Sequence, residues 1–105
     1  MIRAEFFRKA GRPSGFRISG HSGASEAGTD IVCAAVSSAA YLTANTITDV
    51  LGVPADVRTE DGGMLLKIRA EDAASCDVLL RGFRLHMTAL KEQYPQNITV
   101  TDTEV

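Results

Sequence analysis

Two histidines and two cysteines occur in this 105-residue chain, and one of each stands close together, His21 and Cys33. A thiolate attacks carbonyl carbon readily, and an imidazole within reach can take the thiol proton and return it to a leaving amine. Asp30 and Ser37 lie three before and four after Cys33. On a helix those offsets put all three side chains on one face. Two readings of Asp30 stand side by side: it orients His21 as the third member of a triad, or it caps the helix. A lone carboxylate beside Cys33 would oppose thiolate formation, so an active role needs a pairing with His21 or with the backbone. Ser37 either donates a hydrogen bond into the site or bonds back to its own helix. Tyr41 continues the face towards a substrate pocket.

Something must hold these groups in place. Residues 2–9 read as a strand with Ile2, Ala4 and Phe6 on one side. Gly11-Arg12-Pro13-Ser14-Gly15 reads as a turn, and residues 16–21 as the returning strand that carries His21 at its end. Gly20 suits a close approach of another backbone there. Residues 22–29 are Gly-, Ser- and Ala-rich, the composition of a mobile loop. Gly23 and Gly28 would let that loop admit and cover a substrate, although ordinary turn chemistry explains them equally.

A helix is expected to start at Thr29 or Asp30, with Val32, Val36, Ala39, Thr43, Ile47 and Val50 inward, and to stop at Gly52 and Pro54. The first turn of a helix exposes unpaired N–H groups and partial positive charge. Both would favour a Cys33 thiolate, and the N–H groups could bind an oxyanion. Asp61-Gly62 between residues 53–60 and 64–70 predicts a hairpin. Cys76, Leu80, Phe83, Met87, Leu90 and Tyr94 form a second helical core stripe, which Pro95 ends, and Ile98 and Val100 begin a closing strand. The order ββαββαβ predicts one α+β domain over residues 1–105, a mainly antiparallel sheet packed with two helices.

Composition narrows the function. Net charge is -2 and 45% of residues are hydrophobic, so a core is expected and a basic nucleic-acid-binding stripe is not. The opening residues lack a signal-peptide pattern, which points to the cytoplasm. Residues 31–48 carry no charge, yet six hydroxyl or amide side chains interrupt them. A helix buried on more than one side, and a homodimer, fit better than a membrane span. No metal-ligand spacing joins His21, Cys33, Cys76 and His86, so no metal or cofactor is expected. Cys76 reads as structural and His86 as solvated.

Gly20-His21 followed by Gly28-x-Asp30-Ile31-Val32-Cys33-Ala34-Ala35-Val36-Ser37 resembles the ribosomal-processing cysteine protease family Prp. The resemblance spans the whole chain, including Met1-Ile2-Arg3-Ala4. It implies a homodimeric cysteine endopeptidase, with Cys33 as nucleophile and His21 as general base and acid. Asp30 and Ser37 match further motif positions. The implied substrate is the short N-terminal extension of ribosomal protein L twenty-seven, cut after paired phenylalanines and before a small residue. The loop between His21 and Cys33 is implied to order around it. Ser22 and Ala27 depart from the residues frequent in the family. Three rival readings remain at this level: a non-catalytic ribosome-associated binding module, a thiol redox sensor and a zinc protein.

Overall fold

A computed structural model describes residues 1–20, 30–60 and 62–105. Its elements are β1 (Ile2–Lys9), β2 (Arg12–Ser19), α1 (Ile31–Asn45), β3 (Ala55–Glu60), β4 (Gly63–Ile68), α2 (Ala73–Gln93) and β5 (Ile98–Glu104). The expected ββαββαβ order and α+β class hold. The sheet order is β3-β4-β2-β1-β5. All neighbours are antiparallel except β5, which runs parallel to β1 with Ile2 opposite Ile98.

Alternation along the strands sends Ile2, Ala4, Phe6, Phe16, Ile18, Met64 and Leu66 inward, where they meet both helices in one core. The α2 stripe is as the spacing predicts: Cys76, Leu80, Phe83, Met87 and Leu90 are buried. Phe83 sits edge-on to Phe6 and Phe16, with centroids 5.5 and 4.8 Å away. Bidentate hydrogen bonds of 2.8 and 2.6 Å from Arg84 to Asp102 tie α2 to β5.

Two local expectations need correction. The first turn is not residues 11–15 but Ala10-Gly11, both at positive φ (52° and 77°), closed by the Lys9–Arg12 pair. Two successive left-handed residues match the right-handed twist of a tight hairpin. Pro13 and Gly15 therefore lie within β2. The end of α1 also differs. Thr46–Val50 widens into a π-type turn, in which the Leu51 N–H reaches back five residues to the Thr46 carbonyl at 2.8 Å. The hydroxyls of Thr43, Thr46 and Thr48 bond back to carbonyls four residues earlier, which offers the backbone partners other than its own ladder. Val50, expected inward, is 77% exposed as a result of that change of phase. Ile31–Val50 is long and apolar enough to cross a membrane by length and composition alone, but Val32, Val36, Ala40, Ala44 and Ile47 pack into the core.

Candidate active site

Asp30 begins the site. Its backbone is extended, and its Oδ1 accepts hydrogen bonds from the Val32 N–H (2.9 Å) and the Cys33 N–H (3.1 Å). The Ala34 N–H bonds to the Asp30 carbonyl at 3.1 Å. The cap reading of Asp30 is thus realised, and it uses one carboxylate oxygen. The same contacts correct the expectation that these helix-start amides stand ready for an oxyanion: the N–H groups of residues 32, 33 and 34 already have acceptors on Asp30.

Cys33 follows in the first turn of α1, half-buried, against the core. Val32 and Val36 on either side are buried, which fixes the rotation of the helix and sets Cys33 at the core's margin. Its thiol side opens on a cavity of about 260 Å³. The floor is apolar, from Ile2, Ile18, Val36, Ala40 and Met64, and the rim carries Ser37, Tyr41 and Glu60. Cys33, Ser37 and Tyr41 share this cavity, as their helical spacing predicts. Ser37 and Tyr41 are exposed at its edge.

The opposite wall is where strand ends converge. Gly20 lines it at φ 84°, and a Cβ there would lie 2.3 Å from the Met1 carbonyl oxygen. This is the close backbone approach that the glycine suggested. Gly63, at the start of β4, is equally tight, because its Cβ would meet the Ile18 carbonyl oxygen at 2.2 Å. The β3–β4 hairpin thereby brings Glu60, Gly62, Gly63 and Met64 to the cavity. Sequence reading missed these groups and Ile2. The Asp61-Gly62 signal marks a tight turn without saying where its tip lands.

His21, Gly23 and Gly28 lie outside the described residues. Gly20 and Asp30, which flank that segment, both lie at the site. Cys76 is fully buried in α2, and burial foremost, then the Asp72 charge, pushes its thiol up from the ordinary value. His86 is exposed on α2, beside a shallow groove that runs between Ala35, Leu42, Val78 and Gly82. Among the described residues, no three His, Cys, Asp or Glu side chains gather as metal ligands would.

A thiol on the first turn of a capped helix, opening on a cavity large enough for a side chain, is an arrangement that thiol chemistry can use. Comparison with known proteins supplies the assignment. The sequence model of the family cysteine protease Prp matches residues 1–99, and the chain belongs to that family of cysteine proteases. The fold is similar to that of an essential ribosomal processing protease Prp from S. aureus, crystallised with a covalently linked product peptide. That likeness has a TM-score of 0.90 at 22% identity, covering 98% of this chain and 100% of that one. The same description of protein with a substrate peptide gives 0.84 at 21% identity over 98% and 100%. SMU.848 from Streptococcus mutans gives 0.84 at 28% identity over 100% and 96%. No curated protein sequence matches.

Proposed function

We propose that residues 1–105 act as one endopeptidase domain that removes the short N-terminal extension of ribosomal protein L twenty-seven. Cys33 is the nucleophile and His21 the general base and acid. The observation that carries this reading is the cavity at Cys33, because Gly20, the residue covalently joined to His21, lines the same cavity. The partial positive charge of the helix start is already matched by the Asp30 carboxylate. In this reading His21 activates the thiol, the role that the family resemblance gives it.

In the reaction His21 takes the Cys33 proton, and sulfur attacks the scissile carbonyl to give a tetrahedral oxyanion. His21 then protonates the leaving amine, which departs with the C-terminal product and leaves a thioester. Water, deprotonated by His21, hydrolyses the thioester and restores the thiol. Ser37, on the cavity rim one turn beyond Cys33, donates its hydroxyl to the oxyanion. The apolar floor of Ile2, Ile18, Val36, Ala40 and Met64 receives an aromatic side chain. The segment holding Gly23 and Gly28 covers the bound peptide. No metal or organic cofactor takes part.

Two copies associate through the exposed apolar strip of α1 and α2, where Leu42 and Val78 are 67% and 75% exposed. Family resemblance and this strip support a cytoplasmic homodimer. Sedimentation is expected to give a dimer that Leu42→Glu dissociates.

The deciding experiment incubates the chain with the extended ribosomal protein and reads intact mass. One truncated product is expected, lost in Cys33→Ala and in His21→Ala. A product that persists with Cys33→Ala would leave the thiol without a role and favour a binding module.

A further inference from the structure

Glu60 is the sole ionisable carboxylate on the cavity rim among the described residues, and nothing in the reaction above uses it. It closes β3, one residue before the hairpin turn, paired across the ladder with Gly63. The position is held firmly, because Gly63 is wedged against the Ile18 backbone with no room for a side chain. Glu60 itself is exposed, and among the described residues it enters none of the side-chain ion pairs, although Asp56 and Arg58 on the same strand pair with each other at 3.4 Å. Among the described residues, the other side chains of the lining are apolar apart from the Cys33 thiol and the Ser37 and Tyr41 hydroxyls, and Gly20, Gly62 and Gly63 contribute backbone. Among the described residues, Glu60 therefore supplies the one negative charge at the mouth.

We infer that Glu60 is a specificity residue that selects peptides carrying a lysine or arginine close to the cleaved bond. The inference rests on the reading of the cavity as a peptide site and adds a charge preference to it. An extended peptide advances about 3.3 Å per residue, and its side chains alternate in direction. A peptide with one side chain seated in the cavity consequently lays its next few residues over the rim. A long cationic side chain there reaches the Glu60 carboxylate while its stem covers apolar wall. The expected gain is that of a partly exposed ion pair, about three- to fivefold in affinity, and it shrinks as salt is raised.

The test uses a set of peptides that keep the paired phenylalanines and the small residue of the cleavage sequence, in which lysine replaces glutamine at one other position at a time within three residues of the scissile bond. Binding is measured by fluorescence anisotropy with the Cys33→Ala chain, which holds peptide without turnover, and with Glu60→Gln and Glu60→Lys added to it. Cleavage of the neutral parent peptide, which carries glutamine at the varied positions, by the chain with Cys33 intact is measured in parallel. The expected result is one or two positions at which lysine tightens binding, an advantage lost in Glu60→Gln and turned into a disadvantage in Glu60→Lys. Identical peptide ranking in all three proteins overturns the inference; if the neutral peptide is nonetheless cleaved, the protease reading stands without it. Absence of both binding and cleavage overturns the two together. Circular dichroism confirms that each variant is folded before its ranking is read.

Discussion

Asp30 shows how one side chain settles the geometry of its neighbours. Its carboxylate oxygen holds the Val32 and Cys33 amides, which fixes where α1 begins and so where the thiol stands. Removing the cap in Asp30→Ala is expected to cost about 1 kcal/mol of stability, read from urea unfolding. Asparagine caps as well as aspartate, so Asp30→Asn is expected to keep both stability and cleavage. Loss of cleavage in a stable Asp30→Asn protein would instead give the charge a part in catalysis. The two cysteines diverge for physical reasons also visible here. Cys33 is half-buried, whereas Cys76 is enclosed and its thiol is held protonated by burial and by Asp72. Iodoacetamide at neutral pH is expected to label Cys33 in the folded chain and to spare Cys76, as peptide mass mapping would show. Ser37→Ala, if the hydroxyl serves the oxyanion, is expected to lower kcat by roughly 10²-fold with little change in KM.

At the scale of elements, the cavity depends on strand ends that meet without side chains between them. Gly20 combines φ 84° with a Met1 carbonyl 2.3 Å from where a Cβ would stand. Gly20→Ala is expected to lose more than about 1 kcal/mol, with a lowered melting temperature as the readout. An unchanged melting temperature would mean that the strand ends have room that the backbone does not show. Near the thiol, much of this arrangement was legible beforehand. Helical spacing placed Ser37 and Tyr41 with Cys33, and cap chemistry offered Asp30 as the start of α1. The far wall was not legible, because Ile2, Glu60 and Met64 reach it through sheet register and hairpin placement, which long-range packing decides. Misplacing the first turn has a similar origin. Pro and Gly at residues 13 and 15 look like turn residues, but the two positive-φ positions at Ala10 and Gly11 had already reversed the chain. At the end of α1, the threonine hydroxyls compete with the helical ladder, a local effect that apolar spacing does not register.

For the whole molecule, the Arg84–Asp102 pair is the tie between α2 and the outer strand β5. The Arg84 hydrogen bonds hold the Asp102 carboxyl below its ordinary value, outweighing partial burial. A depressed carboxylate binds protons more weakly in the folded chain than in the unfolded one. Its stabilisation is therefore full above the unfolded value of about 3.9 and falls away as pH drops through the folded one. Asp102→Asn is expected to flatten the acid limb of the stability–pH curve, and an unchanged limb would show the pair to be too exposed to matter. The parallel pairing of β5 with β1 has another consequence, in time rather than space. The strand translated last of the five docks beside the one translated first, with Ile98 against Ile2 and the Thr103 hydroxyl on Glu5. While residues 98–104 are still inside the ribosome, β1 is left as an open edge, and contacts this far apart in sequence form slowly. Ile2 belongs both to that edge and to the cavity floor, so the cavity wall is completed only after β5 has joined the sheet, later than the helix that carries Cys33 can form.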